Sequence, residues 1–169
     1  LKKVGTSTWL DDLSRDRLTS GNLKQLLSSK SIVGVTTNTS IFAAAMGKGT
    51  AYDTQIGELK EAGSSVDDSV YTMAIKDVQD ACDLFADIYE QSGGQDGRVS
   101  IEVDPRISAD RDATVTQAKN LWERVDRPNA MIKIPATEGS MPAIADALAE
   151  GISVNVTLIF SVPVYRQVV

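Results

Sequence analysis

The alternation of short strand-like segments with longer helical patterns is the feature that most constrains the fold of this chain. Five segments have the length and apolar character of strands: residues 7–10, 32–35, 99–104, 130–134 and 152–158. Helical patterns, in which apolar residues recur every three or four positions, lie between them. Strands that alternate with helices predict βαβ units and an α/β fold with a parallel sheet. Because no internal linker or repeat interrupts the alternation, we expect one domain over residues 1–169.

The strongest helical pattern covers residues 66–90. Its apolar residues are spaced by three and four: Val70, Ala74, Val78, Ala81, Phe85 and Ile88. Ser65 and Asp68 form a variant of the capping box at its start, and the turn-forming residues 93–97 end it. A second helical pattern begins at Ser40 and is expected to continue through an apolar stripe as far as Leu59. Other helices are expected over residues 18–27 (interrupted near Gly21), 113–124, 142–150 and from residue 162 onward.

The absence of histidine excludes several kinds of chemistry. Without it, Ser-His or Cys-His catalysis and histidine-ligated zinc are not available to these residues. The only cysteine, Cys82, excludes an intrachain disulfide and lies in the apolar stripe of the strongest helix, where we expect it to pack in the core. Acid–base catalysis would therefore fall to carboxylates, lysine, tyrosine or water.

Net charge and hydropathy limit the kinds of binding partner and the location that we expect. The net charge is −6, from 17 Lys and Arg against 23 Asp and Glu, and no long basic stretch interrupts it, so nucleic-acid binding is not expected. No apolar run reaches the roughly 18 residues that a membrane span needs. No secretion signal is visible either, which favours a cytoplasmic protein, although the chain begins at Leu1 rather than Met.

Polar residues at the carboxyl ends of all five predicted strands are the main functional signal. Strands of a parallel sheet are covered on both faces and are usually almost entirely apolar. The exceptions here come near the strand ends: Asp11, Asn38, Glu102, Lys133, Asn155 and Thr157. The period of two puts Val99, Ile101 and Val103 on one face of the third strand, with Glu102 and Asp104 on the other. We therefore expect one aliphatic face and one face with converging polar groups, at the edge where (β/α)₈ barrels carry their active sites.

Of these residues, Lys133 is the one that a purely structural role explains least easily. It lies between Ile132 and Ile134 on a strand, where a lysine is rarely buried without a functional reason. Removal from water disfavours the charged ammonium form, which frees the amine to act as a nucleophile.

The other polar residues have structural alternatives. Asp11 and Asn38 could each cap the helix that follows them. Glu102 could form a buried ion pair with Arg98 or Arg106. Taken together, however, a lysine, two carboxylates, two amides and a threonine are the groups that class I aldol chemistry on a polyhydroxylated carbonyl compound requires.

Five sequence motifs, in order and at similar spacing, resemble the transaldolase family. They are WLDDLSR at 9–15, GVTTN at 34–38, SIEVDPR at 100–106, IKIPAT at 132–137 and NVTL at 155–158. The first motif and the long helical insert after strand two are most similar to the larger transaldolases of actinobacterial type. The resemblance implies a (β/α)₈ TIM barrel, of which this chain would supply the first five strands as the N-terminal part of an incomplete barrel. The insert, residues 49–95, is expected only to pack against the barrel rim.

The resemblance also implies a role for each polar strand-end residue. Lys133 would be the Schiff-base nucleophile. Asp11 would be the acid/base for C–C bond cleavage and formation, and it is chosen over Asp12 because it directly follows the apolar strand. Glu102 would shuttle protons through a water positioned by Thr157. The two remaining residues would bind substrate hydroxyls: Asn38 and Asn155.

The resemblance implies transfer of a dihydroxyacetone unit from sedoheptulose 7-phosphate to glyceraldehyde 3-phosphate, in the pentose phosphate pathway. It implies sugar phosphates as substrates, and no cofactor or metal; the oligomeric state is not predicted. Thr39 stands where the family usually has proline. The family's phosphate-binding arginine and serine come from later strands, and Arg166 does not match that arginine, so the 169-residue chain alone is expected to be inactive. The alternatives are a fructose-6-phosphate aldolase, a fused enzyme with transaldolase as its first half, and a non-catalytic barrel fragment.

Overall fold

The chain folds into a five-stranded parallel sheet with helices between the strands. This computed structural model describes residues 4–169. The strands are β1 (Trp9–Asp11), β2 (Gly34–Thr36), β3 (Arg98–Glu102), β4 (Ala130–Pro135) and β5 (Val154–Thr157). Every neighbouring pair is parallel.

Eight α-helices are described around this sheet. They are α1 (Arg15–Thr19), α2 (Asn22–Lys30), α3 (Thr39–Met46), α4 (Asp53–Glu61), α5 (Val66–Gln91), α6 (Arg111–Val125), α7 (Met141–Ala149) and α8 (Val162–Val168), with a 3₁₀ helix at Pro105–Ile107. None of the described helices is both long enough and apolar enough to cross a membrane.

The strand order distinguishes a barrel from an open doubly wound sheet. The strands follow one another in space as β1-β2-β3-β4-β5, so each new strand is added to the same edge. A doubly wound sheet reverses direction at a switch point, whereas a (β/α)₈ barrel adds its strands in sequence until it closes. The predicted α/β fold is therefore confirmed, with five strands forming part of a barrel.

Alternate residues of the strands form the core between the sheet and the helices. Val35, Val99, Ile101, Ile132 and Ile134 are almost completely buried. They pack in one cluster with side chains from the long helix α5: Val78, Ala81, Cys82 and Phe85. The predicted aliphatic face of the sheet is thus the helix-covered face, and Cys82 lies in the core as expected.

Helix boundaries follow local capping signals. Ser65 caps α5 by accepting a hydrogen bond from the Asp68 N–H, as its sequence predicts. Gly21 adopts φ of 76° and separates α1 from α2, which confirms the expected interruption. The stripe expected to run from Ser40 to Leu59 is divided into α3 and α4 instead, because α3 ends at Gly47 and the chain turns before Tyr52.

The third strand ends earlier than its apolar pattern indicates. The last residue of β3 is Glu102, so the period of two no longer applies at Asp104. Asp104 caps the 3₁₀ helix by accepting the Arg106 N–H at 2.8 Å, and its carboxylate also binds the Arg106 guanidinium. The expectation that Asp104 shares a face with Glu102 is therefore wrong, because Asp104 belongs to the turn.

Candidate active site

Strand register brings three of the predicted residues into one row. Glu102 of β3 is paired with Lys133 of β4, and Lys133 is paired with Asn155 of β5. Paired residues of parallel strands point to the same face, so the three side chains lie side by side. That face is opposite to the one that packs on the helices.

A second row lies beneath the first, one step nearer the strand starts. Asp11, Thr36 and Ser100 are aligned across β1, β2 and β3. The Asn155 amide donates to the Ser100 hydroxyl at 3.1 Å, and the Ser100 hydroxyl donates to the Thr36 hydroxyl at 3.1 Å. This chain of hydrogen bonds links the two rows across β2, β3 and β5.

Lys133 is buried, and two oxygen atoms lie close to its amine. It is 8 % exposed, and its Nζ donates to the backbone carbonyl of Thr37 at 3.1 Å. A carboxylate oxygen of Glu102 lies 3.6 Å from the same nitrogen. Thr37 is itself buried, and its hydroxyl donates to the Ser100 carbonyl at 2.8 Å. The amine is therefore held at a fixed place on the polar face, beside a carboxylate.

Glu102 is partly buried, and this environment alters its proton affinity. Burial raises the pKa of the carboxyl above its usual value; the positive charge of Lys133 opposes the increase, and the negative charge of Asp11 adds to it. Arg98 and Arg106, the two alternative partners expected from sequence, are engaged elsewhere: Arg98 donates to the Gly94 carbonyl, and Arg106 binds Asp104. That alternative is wrong, because Lys133 is the ion-pair partner of Glu102.

Asp11 and Asp12 differ in what they face. Asp11 is the last residue of β1 and is aligned with Thr36, so it belongs to the polar face. Asp12 forms an ion pair with Arg17 on the molecular surface. An open cleft of about 490 Å³ beside α3 is lined by Asp11, Asp12 and Asn38, so the cleft itself does not distinguish the two aspartates.

Asn38 has the capping role that the sequence offered as its alternative. Its Oδ1 accepts the Ile41 N–H at 2.9 Å and so caps α3. Capping fixes the side chain through its oxygen and does not use the N–H donors of the amide. The two interpretations of Asn38 are compatible, because a cap uses one end of the amide only.

Thr157 is the last residue of β5 and shares its face with Asn155. Its register partner is Pro135, two positions beyond Lys133, so Thr157 lies farther toward the strand ends than the Glu102–Lys133 row. Within residues 4–169 its hydroxyl makes no direct hydrogen bond to Glu102. A link between the two side chains would therefore need an intervening water.

Sequence reasoning missed two polar side chains of this face, Thr36 and Ser100, and the Thr37 carbonyl that accepts from Lys133. Thr36 and Ser100 lie two positions before Asn38 and Glu102, so the same period of two would have found them. Among the described residues, no three His, Cys, Asp or Glu side chains are close enough to share a metal ion. The assembled groups are a buried primary amine, two carboxylates, two amides and several hydroxyls.

Comparison with known proteins shows the family to which this chain belongs. The family model described as Transaldolase/Fructose-6-phosphate aldolase matches residues 8–169. The chain is 60 % identical over 168 residues to proteins named Transaldolase from Mycolicibacterium smegmatis and Mycobacterium ulcerans. It is 59 % identical over 169 residues to the Transaldolase of Kocuria rhizophila. The match covers 99–100 % of this chain but only 45–46 % of each relative, so the chain spans a little under half of their length. The chain belongs to the transaldolase/fructose-6-phosphate aldolase family.

Proposed function

We propose that the protein to which this chain belongs is a transaldolase, an enzyme that transfers a dihydroxyacetone unit from sedoheptulose 7-phosphate to glyceraldehyde 3-phosphate. The observation that carries the proposal is the buried Lys133 amine, held by the Thr37 carbonyl at 3.1 Å with the Glu102 carboxylate 3.6 Å away. A primary amine set beside a carboxylate that can transfer protons is suited to imine formation.

The first step joins Lys133 to the donor ketose. The neutral amine attacks the carbonyl carbon, and the resulting carbinolamine loses water to leave an imine. Two proton transfers accompany this step, one from nitrogen and one to the departing hydroxyl. Glu102 is the group within reach, and its raised pKa suits a carboxyl that must both give and take a proton. Thr157, on the same face, would orient the water that carries these protons.

The second step breaks the C–C bond. Asp11 takes the proton from the hydroxyl next to that bond, the aldehyde product leaves, and the bonding electrons pass into the imine to form an enamine. The enamine then attacks the carbonyl of the acceptor aldehyde, and Asp11 returns the proton to the new hydroxyl. Hydrolysis of the imine releases the second product and restores Lys133. Asn38 and Asn155 would hold substrate hydroxyls through their amide groups.

Several parts of the proposal rest on the resemblance alone. They are the place in the pentose phosphate pathway, the cytoplasmic location, and the assignment of residues 1–169 to the N-terminal part of a single barrel domain. The groups that bind the substrate phosphate would lie on strands after β5. For that reason the tests of activity use the longest chain that the gene encodes.

The proposal is tested by trapping the imine. The protein is incubated with fructose 6-phosphate and borohydride, and the product is mapped by mass spectrometry. We expect a reduced three-carbon adduct on the peptide that contains Lys133, and none in Lys133→Met. Lys119, a surface residue that pairs with Glu150, provides the control variant Lys119→Met, which should still be trapped. An adduct that persists in Lys133→Met would disprove the assignment of the nucleophile.

The same incubation distinguishes the other candidates. The family description also includes fructose-6-phosphate aldolase. In the absence of borohydride and of an acceptor sugar, that enzyme would release free dihydroxyacetone together with glyceraldehyde 3-phosphate. A transaldolase instead keeps the three-carbon unit on the enzyme until an acceptor arrives. No adduct on the full-length chain would favour a non-catalytic barrel.

A further inference from the structure

A buried polar cluster joins the helical insert to the segment that follows β1. Its centre is Asp77 of α5, which is completely buried. One carboxylate oxygen accepts from the Arg15 guanidinium at 2.9 Å, and the other accepts from the Tyr52 hydroxyl at 2.6 Å. Burial raises the pKa of Asp77, and its two partners oppose that increase. We refer to Arg15, Tyr52 and Asp77 as the anchor cluster.

Arg15 is fastened by its backbone as well as by its side chain. Its N–H donates to the Tyr52 hydroxyl at 3.0 Å, so this hydroxyl accepts from Arg15 and donates to Asp77. The guanidinium lies 4.4 Å from the centre of the Tyr52 ring, within the range of a cation–π contact. It also donates to the Met73 carbonyl at 3.4 Å. Arg15 therefore has little freedom to move relative to α5.

The anchor cluster is close in sequence to a residue of the candidate active site. Arg15 follows Asp11 by four positions, and Leu13 between them is fully buried. β1 has only three residues, and Asp11 is the last of them, so its carboxylate stands where the strand passes into residues 12–15. The course of these residues is fixed by the buried Leu13 and by the contacts of Arg15.

We propose that the anchor cluster positions Asp11: Tyr52 and Asp77 of the helical insert hold Arg15, and Arg15 holds the segment that carries the Asp11 carboxylate over the polar face. The proposal rests on the transaldolase function proposed above and assigns a role to an insert that was expected only to pack. Tyr52 and Asp77 are positioning residues, since neither lies in the row that contains Lys133.

The chemistry of the cluster favours positioning over simple stabilisation. An apolar group of similar size often stabilises a core as well as a buried ion pair does, because both charges lose their hydration. Directed hydrogen bonds, in contrast, fix distance and angle. A displacement of about 1 Å in a reacting group lowers a rate by about a hundredfold. A cluster built from three directed contacts is thus suited to fixing a catalytic carboxylate.

Tyr52→Phe is the most conservative test, since it removes one hydroxyl and leaves the ring. In the full-length protein we expect the turnover number for dihydroxyacetone transfer to fall at least about tenfold. KM and the rate of imine trapping on Lys133 should stay within about twofold, because the lysine and its neighbours are untouched. Asp77→Asn, which keeps the size of the side chain, is the second variant and carries the same expectation. Thr72→Val is the control, because Thr72 lies on the same helix as Asp77 but accepts from Arg124 of α6 instead of from the anchor cluster.

A double-mutant cycle with Asp11→Ala separates positioning from a general loss of structure. If Tyr52 acts through Asp11, Tyr52→Phe should change the residual rate of Asp11→Ala by less than about twofold. Equal effects of Tyr52→Phe in both backgrounds, or an equal fall in Thr72→Val, would overturn the proposal. Failure of the parent protein to form an imine would instead overturn the proposed function, so the two failures are distinguishable.

Discussion

At the scale of single residues, Lys133 shows how a strand can present a charged group without exposing it. Ile132 and Ile134 on either side point into the helix-covered core and are fully buried. The lysine points to the opposite face, where its amine donates to a backbone carbonyl and lies beside a carboxylate. Burial that would be unfavourable for an isolated ammonium group is tolerated here because both oxygens are within reach.

Glu102 is expected to control the pH dependence of imine formation. Because burial raises its pKa, the carboxyl keeps its proton at pH values where an exposed glutamate has lost it. Glu102→Gln should slow imine formation by about a hundredfold or more and remove the ionisation from the low-pH limb of the rate profile. Stopped-flow measurement of adduct formation checks this, with the surface variant Glu150→Gln as control. An unchanged profile in Glu102→Gln would exclude it from the mechanism.

The two neighbouring aspartates are expected to behave differently. Asp11→Asn should slow C–C cleavage by about a hundredfold or more while the imine on Lys133 still forms. Asp12→Asn removes an exposed ion pair with Arg17, so it should leave the rate unchanged and lower stability by less than about 1 kcal/mol. Single-turnover kinetics with borohydride trapping measure both steps. If Asp12→Asn is the variant that blocks cleavage, Asp11 is the wrong choice.

At the scale of secondary structure, a glycine allows close packing between β1 and β2. Gly34 is aligned with Trp9, and a Cβ at Gly34 would lie 2.5 Å from the indole ring. Glycine is needed here for close approach, because Trp9 covers the strand on the polar face.

Gly34→Ala is therefore expected to lower the free energy of unfolding by about 1–3 kcal/mol, through displacement of the indole. Gly57, inside α4, is the matched control: a Cβ there meets open space. Gly57→Ala should stabilise the protein by about 0.5–1 kcal/mol, since alanine favours the helix. Urea unfolding measures both changes. Equal changes in the free energy of unfolding for the two substitutions would show that displacement of the Trp9 indole does not destabilise the protein.

The 3₁₀ helix after β3 is expected to make stability depend on pH. Bonding to the Arg106 guanidinium lowers the pKa of Asp104 in the folded protein. A carboxyl whose folded-state pKa is lowered adds stability above its unfolded pKa, and that stability is lost as the pH falls through the folded value. Between about pH 6 and pH 2, Asp104→Asn should therefore lose less stability than the parent chain. Arg106→Gln should have the same effect, and parallel pH profiles for all three proteins would refute the prediction.

At the scale of the whole chain, β1 and β5 are the outer strands of the part of the barrel that these 169 residues supply, and β5 is followed by exposed apolar residues. Phe160 is 89 % exposed, and four other large apolar side chains between Leu158 and Val169 are more than half exposed. An unpaired strand edge beside an apolar surface favours association.

The 169-residue chain by itself is accordingly expected to self-associate with increasing concentration. Phe160→Asp should reduce this association, because it places a charge in the exposed apolar segment. Val66→Asp is the control, since Val66 is equally exposed but lies at the start of α5. Sedimentation velocity over a concentration series measures the extent of association of each variant. A monomer at every concentration, or equal effects of both variants, would contradict the role of this segment.

The sequence by itself determined the elements, the two faces of the sheet and the strand-end position of the candidate site residues. These properties are local: a period of two separates Lys133 from its isoleucine neighbours, and a capping serine or a glycine marks where a helix begins or ends. The site residues became recognisable in sequence because each lies near the carboxyl end of a strand, and parallel strands end at one edge of a sheet.

Only the tertiary structure decided which groups meet. Lys133 and the Thr37 carbonyl are separated by 96 positions, and Arg15 by 62 positions from Asp77 and by 37 from Tyr52. Strand register and helix packing set these contacts, and neither leaves a local pattern in the chain. For the same reason Glu102 could not be assigned to Lys133 over Arg98 or Arg106, and Asp104 could not be separated from the site until the end of β3 was known. Local periodicity fixes the direction of a side chain, whereas its partner depends on chain segments that come together only when the protein folds.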